Sequence, residues 1–469
     1  PDTDRLFSVM RCNHCDDAPC MTICPTSALY RADNGVVDFQ DDDCIGCKAC
    51  MNACPYDAIY LNPETNTAHK CNFCNHRIED GLEPSCVVVC PTQAIRVGDL
   101  DDPNSEISRL ESEGGLVRSP EQNTRPKVFY TGATASSLDP LASAISNDGL
   151  IWADTTSSHS TPSQAALAVA PDRQDGLAMA RTTYTTQHEP VWGSMVSGYL
   201  VTKAIAAGVM LVASLLVVLG HGDLHSVVGV APPVVAGIFL IVTGVLLVAD
   251  LKQPKRFWYL LSRGNSKSWL VKGAWVLGAF AACLIAWWVI GLAGAGSALL
   301  YLVGPTAVLA LGTAGYTAFL FGQCEGRDLW QEPLLLPLLL AQALMAGGAT
   351  WSLLDQFLDV PSHGSVKWVF LVGLVANTAL VGLEVRGRHT RHVTMAIADI
   401  RYGSQKKRWR EWLFCTAFSL LFLGLDIVLG GLVFDWTGPV QPIVPLAALY
   451  GLFAYEDAYV RAGQSVPLS

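Results

Sequence analysis

The stretch Cys44-Ile45-Gly46-Cys47-Lys48-Ala49-Cys50-Met51-Asn52-Ala53-Cys54-Pro55 decides the first part of this chain. Its cysteines are separated by two, two and three residues, and the last precedes a proline. Upstream, Cys12, Cys15, Cys20 and Cys24 lead to Pro25 with gaps of two, four and three. Downstream, Cys71, Cys74, Cys86 and Cys90 lead to Pro91 with gaps of two, eleven and three. A short apolar stretch follows each run (Ala28-Leu29-Tyr30, Ala58-Ile59-Tyr60 and Ala94-Ile95-Arg96), and each reads as a brief strand. Twelve of the 15 cysteines thus fall in a threefold internal repeat.

Such spacing suits iron–sulfur ligation. Three closely spaced thiolates hold one cluster, while the fourth, before the proline, points to its neighbour. Cys12, Cys15 and Cys20 with Cys54 are expected to hold one [4Fe-4S] cluster, and Cys44, Cys47 and Cys50 with Cys24 a second. Zinc is the first alternative, but it needs four ligands and no Cys-Pro exit. Disulfides need an oxidising compartment and impose no such short, regular gaps. The third run has no partner in view. Pro1-Asp2-Thr3-Asp4-Arg5 reads as the interior of a sequence, so one more four-cysteine run is expected before it, giving four clusters in the complete protein. The alternative is that Cys71, Cys74, Cys86 and Cys90 close a cluster by themselves, giving three.

The three runs, with Arg11-Cys12-Asn13-His14-Cys15, Cys44-Ile45-Gly46-Cys47-Lys48 and Lys70-Cys71-Asn72-Phe73-Cys74, resemble the four-cluster ferredoxin-like electron-transfer subunits of molybdopterin oxidoreductases. These include the dimethyl-sulfoxide reductase, polysulfide reductase and formate dehydrogenase types. The resemblance covers about Leu6 to Leu100, with a tail including Arg125-Pro126-Lys127-Val128-Phe129-Tyr130. It implies a molybdenum or tungsten bis-pterin catalytic subunit as partner.

Composition divides the 469 residues in two. Through Ser194 there are 27 acidic against 13 basic residues; from Met195 there are 14 against 18, with long apolar runs. The whole is 51% hydrophobic, only 15% charged and of mean hydropathy +0.33, which excludes a disordered chain, a nucleic-acid binder and a small disulfide-stapled domain. Residues 1–100 are expected to form an α+β ferredoxin-like iron–sulfur domain. Residues 101–194, rich in Ser, Thr, Ala, Asp, Gly and Pro, are expected to be an extended connector, its first part lying along the cysteine domain through Tyr130. Residues 195–469 are expected to be an all-α membrane domain. Eight apolar runs of near-spanning length predict eight transmembrane helices, the last at Pro439 to Tyr455.

Basic residues crowd the loops on the cysteine-domain side, among them Lys252, Arg256, Arg263, Arg327, Arg386, Arg408 and Arg461, and are absent from the opposite short loops. By the positive-inside rule the protein is multi-pass in the cell membrane with the iron–sulfur domain facing the cytoplasm.

Asp250-Leu251-Lys252-Gln253-Pro254-Lys255-Arg256-Phe257-Trp258, Gly264-Asn265-Ser266-Lys267-Ser268-Trp269-Leu270 and Gly326-Arg327-Asp328-Leu329-Trp330 resemble the NrfD or polysulfide-reductase membrane subunits. That resemblance implies binding of menaquinone or ubiquinone without haem. No helix offers the facing histidines of a bis-histidyl haem.

Ionisable groups inside membrane helices are costly and default to functional candidates. Tyr199, Lys203, Asp250, Tyr316 and Glu384, on the cysteine-domain half, are the quinone-site candidates. Each has a plainer reading: Lys203 snorkelling, Tyr199 in an aromatic belt, Asp250 and Glu384 pairing with Arg256 and Arg386. Asp426, midway along the seventh helix, has an open role, and Cys283, Cys324 and Cys415 read as small buried residues. With no phosphate loop, nucleophile constellation or dinucleotide fingerprint, the chain is expected to be non-catalytic for substrate but quinone-reactive. It reads as the electron-transfer and membrane-anchor subunit of a molybdopterin oxidoreductase. The alternatives are a nickel–iron hydrogenase membrane module and a redox-driven proton-translocating module.

Overall fold

The computed structural model describes residues 8–139, 141, 190–221, 225–358, 360, 363–429 and 442–468. The cysteine domain is built on two similar units. In the first, α1 (Pro19–Ile23) is followed by the hairpin β1 (Leu29–Arg31) and β2 (Val37–Phe39). In the second, α2 (Ala49–Ala53) is followed by β3 (Ile59–Leu61) and β4 (Ala68–Lys70). Both hairpins are antiparallel, with Tyr30 opposite Asp38 and Tyr60 opposite His69. Each short helix starts among its cysteines and ends at the Cys-Pro step, where proline withdraws the backbone donor a further turn would need. Ile23, Ala49 and Ala53, fully buried, close the helices over the hairpins.

The third run departs from its expected strand. Residues 71–100 form α3 (Asn75–Glu79) and α4 (Ser85–Val88), and residues 94–96 join no sheet among the described residues. A strand is held by a partner's ladder, and nothing pairs with this one.

Through Tyr130 the connector, with α5 (Glu106–Ser112), lies on the cysteine domain. The Asp16 and Asp17 amides bond the Arg125 and Thr124 carbonyls, Lys127 bonds Asn13, and the Tyr130 hydroxyl bonds Val9. α6 (Ala135–Leu138) follows. The tether expected beyond it falls on residues 142–189, outside the described ones.

The rest is helical: α7 (Ser194–Leu216), α8 (Ala231–Asp250), α9 (Tyr259–Ser262), α10 (Trp269–Leu292), α11 (Gly296–Gly322), α12 (Leu335–Leu354), α13 (His363–Arg386), α14 (Arg391–Arg401), α15 (Lys406–Leu429) and α16 (Ile443–Gly463). Seven of these, namely α7, α8, α10, α11, α12, α13 and α15, are long and apolar enough to cross a membrane. The expectation of eight is therefore corrected to seven among the described residues. The eighth run does form a helix, α16, but it carries Glu456, Asp457 and Arg461 in its last two turns. The start assigned to it, Pro439, lies outside the described residues.

α7 is the central helix, walled by α8, α11, α12 and α16. Small residues set its closest crossing. A side chain at Gly208 would collide with the Ala343 carbonyl and stand 2.6 Å from the Gly347 amide nitrogen of α12. Membrane helices approach this closely where glycine lets backbones touch.

Candidate functional site

The structure brings eight cysteines into two groups. Cys12, Cys15, Cys20 and Cys54 line one cavity, with Asn13, His14 and Tyr56 in its wall. Cys24, Cys44, Cys47 and Cys50 stand together as the second, near enough for their charges to interact. The Gly46 and Ala68 amides reach Cys44 Sγ at 3.4 and 3.5 Å. Burial pushes the Cys47 and Cys54 thiols up to about 12, and Cys20 and Cys50 well above the ordinary value. The third run lies outward: Cys71 and Cys86 are exposed, Cys74 and Cys90 half-buried. Cys86 Sγ accepts from Arg11 Nη1 at 3.4 Å.

The expected cofactor state does not hold. Among the described residues no group of three or more His, Cys, Asp or Glu side chains is gathered so that it could hold a metal ion. That conflicts with two fully ligated [4Fe-4S] clusters in this chain, and equally with the count of four built on them. A metal ion draws its sulfur ligands to about 2.3 Å from one point. Here the thiols ring a space without closing on one point.

The second group faces the membrane domain, which grips it by the backbone. The carbonyls of Cys24, Cys44 and Cys47 accept from Asn265 Nδ2 (2.9 Å), Arg256 Nη1 (3.0 Å) and Trp192 Nε1 (3.0 Å). The Lys252 and Gln253 amides bond the Gly46 and Ile45 carbonyls, and Gly326 bonds Ala53. Lys48, between two cysteines, pairs with Asp250 at the end of α8, Nζ to Oδ2 2.9 Å. The Asp250–Arg256 pair of the plainer reading does not form, because Arg256 is taken by the Asp41 and Cys44 carbonyls beside Asp42. A sequence separation near 200 residues hides the Lys48 pairing from local reading.

Behind the seam lie the other candidates. Lys203 is fully buried, so it does not snorkel. Its Nζ donates to the Ala314 carbonyl (2.9 Å) and to Thr317 Oγ1, and stands 4.8 Å from the centre of the Tyr316 ring. Tyr199 lies against Tyr316 and Thr317, with Asp250 within electrostatic reach. Gly273 of α10 leaves room for the Tyr316 ring, which a Cβ there would strike. Tyr199, Lys203, Tyr316 and Asp250 thus form one neighbourhood where α7, α8 and α11 meet.

Glu384 stands apart from it and does not pair with Arg386: its Oε2 accepts from the Tyr455 hydroxyl at 2.6 Å. Between the two sits Glu456, 2% exposed, beside Gln342 and within electrostatic reach of both Lys203 and Glu384. Sequence reasoning missed Glu456 and Thr317. Glu456 is open to the same reading as Glu384, an acid in an apolar helix, but it falls one residue past the Tyr455 end of the eighth apolar run. Asp426 pairs with Lys367 at 2.7 Å on the opposite side of the bundle. Cys324 and Cys415 are buried and Cys283 half-buried.

Comparison with known proteins agrees with both halves. The family described as a 4Fe-4S dicluster domain matches residues 3–100, and the family described as polysulphide reductase, NrfD, matches residues 183–359. A tetrathionate reductase subunit of Salmonella typhimurium is 44% identical over 133 residues, 28% of this chain and 53% of that protein. The arsenate respiratory reductase iron–sulfur subunit ArrB of a Shewanella species is 35% identical over 28% of this chain and 76% of its own length. A polysulfide reductase polypeptide of Wolinella succinogenes is 42% identical over 28% of this chain and 70% of its own length. The chain spans about half the length of the first of these relatives. With a relative covered over three quarters of its length and a second family matching the helical part, this protein belongs to the ferredoxin-like iron–sulfur subunit family, its N-terminal domain fused to a membrane domain of the NrfD/polysulfide-reductase type.

Proposed function

We propose that this chain is the electron-transfer and membrane-anchor subunit of a molybdopterin-type respiratory oxidoreductase. In this reading it passes electrons between a molybdenum or tungsten bis-pterin catalytic subunit and membrane quinone, and does no substrate chemistry itself. The names of its relatives, tetrathionate, arsenate and polysulfide reductase subunits, support the class of complex.

The observation that carries the reading is the seam. The membrane domain bonds the carbonyls of Cys24, Cys44 and Cys47, so the cysteine-bearing side of the N-terminal domain is where the two parts meet. Lys48 and Asp250 join that side to the Tyr199–Lys203–Tyr316 neighbourhood. A quinone needs an apolar slot with a donor for its carbonyl oxygen, and Lys203 Nζ is a donor set among apolar helices. Tyr199 and Tyr316 supply flat aromatic walls and hydroxyls, and Asp250 supplies charge balance at the seam. The cysteines are the residues assigned to the redox side of the relay. The arginine-rich loops support a cytoplasmic N-terminal domain.

The test is purification of the native assembly from membranes with metal analysis of its largest partner. The reading predicts molybdenum or tungsten there and quinone turnover that falls in Lys203→Ala. Nickel in the partner, or quinone turnover indifferent to Lys203, contradicts it.

A further inference from the structure

We propose that Glu332, His389, Glu384, Tyr455 and Glu456 form a proton relay from the cysteine-domain surface to the quinone neighbourhood at Lys203. The inference rests on the quinone reading above and adds the proton half of that reaction. It also moves Glu384 from quinone contact to proton transfer.

Reduction of a quinone takes two electrons and two protons to give the quinol, and oxidation returns both. The electrons pass between quinone and the catalytic partner through the N-terminal domain. The protons must come from water, and Lys203, fully buried, is shut off from the surface. Five groups line the way, neighbours in the line being hydrogen-bonded or within electrostatic reach. Glu332, in the loop before α12, has a side chain 18% exposed and touches solvent. Its Oε1 lies 3.1 Å from His389 Nδ1, and His389 Nε2 meets the Glu384 backbone carbonyl. Deeper in, Glu384 Oε2 accepts from the Tyr455 hydroxyl at 2.6 Å. The next residue, Glu456, stands beside Gln342 and within electrostatic reach of Lys203. Glu456 is two turns from the end of α16, so the relay descends roughly 10 Å at the usual rise per residue.

The hydrogen-bond chemistry at the outer end is specific. A neutral imidazole offers one donor and one acceptor. Both His389 nitrogens face oxygen atoms, a carboxylate on one side and a carbonyl on the other, so the ring stands where it can take a proton from Glu332 and turn it inward. It sits at the mouth of a line of carboxyl and phenol groups, each able both to give and to accept. A purely structural role would not require two acids 5% and 2% exposed inside a helix bundle, where ionisable groups are costly.

The test uses the intact complex in lipid nanodiscs, with quinone turnover and binding of a quinone analogue measured separately. Glu384→Gln and Glu456→Gln should slow turnover on the order of 10- to 100-fold, the range of a lost proton-transfer group, with analogue affinity unchanged. Glu332→Gln should slow it too, and added imidazole or acetate should restore the rate, as should Glu332→Asp. Should Glu384→Gln or Glu456→Gln fail to assemble, Tyr455→Phe and the Glu332→Gln rescue carry the test. If Lys203→Ala slows turnover while Glu384→Gln, Glu456→Gln and Tyr455→Phe leave it at the wild-type rate, the relay is wrong and the quinone site stands. If Lys203→Ala leaves turnover intact, the quinone reading falls first.

Discussion

Lys48 Nζ and Asp250 Oδ2 meet at 2.9 Å across the seam between the cysteine domain and the second membrane helix. Lys48 adopts a left-handed backbone (φ 63°) immediately after Cys47, which turns its side chain out of the cysteine loop. Its side chain is 6% exposed and that of Asp250 18%. One contact therefore joins a residue flanked by cysteines to a residue flanking the Tyr199–Lys203–Tyr316 neighbourhood.

Breaking a buried pair leaves an uncompensated charge, at a cost of about 3–5 kcal/mol, whereas replacing both partners is far milder. Lys48→Met or Asp250→Asn alone should loosen the seam, read as faster proteolysis between the domains and a lower melting temperature. The double variant should recover much of the loss. A loss in the double variant equal to the sum of the two single losses would show that the pair does not hold the seam.

At the α7–α12 crossing, Gly208→Ala must push two helix backbones apart, since its Cβ would meet the Ala343 carbonyl and the Gly347 amide. Overpacking of this kind costs about 1–3 kcal/mol or more. Gly237→Ala on α8, with nothing within 4 Å of its Cβ, should be neutral. Thermal stability of the two variants in detergent makes the comparison, and equal melting temperatures would remove the close crossing as a stability determinant.

Acid should release the clasp between the connector, the loop before α12 and α14. Burial works against the Asp328 carboxylate, but His392 (3.3 Å), Thr390 (2.9 Å) and Gln122 (3.3 Å) outweigh it and hold the carboxyl below its ordinary 3.8. A depressed folded value means the stabilisation is present above about pH 3.8 and is lost as pH falls through the lower value. Hydrogen exchange of α14 should accelerate in that window in the wild type. In Asp328→Asn it should be fast already and flat across it.

What was legible in the sequence was what is local or periodic. The two groups of four cysteines were readable because a Cys-Pro exit sends the fourth side chain away from its own run, and the structure places Cys54 with Cys12 and Cys24 with Cys47. Helix spans followed from runs of apolar residues, except α16, whose Glu456 and Asp457 interrupt the pattern. Contacts between distant segments were not readable. Asp250 has a nearby arginine in sequence and a distant lysine in space, and Glu384 reaches a tyrosine 71 residues away. The spread of the thiols around their cavity was also hidden, because spacing reports which cysteines can meet and not how closely they converge.

The central claim is that quinone exchanges electrons with the N-terminal domain at Lys203. Its most direct test is rapid mixing of the complex in nanodiscs with quinol, following quinol oxidation by its ultraviolet absorbance, in wild type and Lys203→Ala. The account predicts quinol oxidation in the wild type and a rate lowered at least tenfold in Lys203→Ala, the lower end for a lost proton or hydrogen-bond donor, with assembly of the complex unchanged. Oxidation at the same rate in both would contradict it.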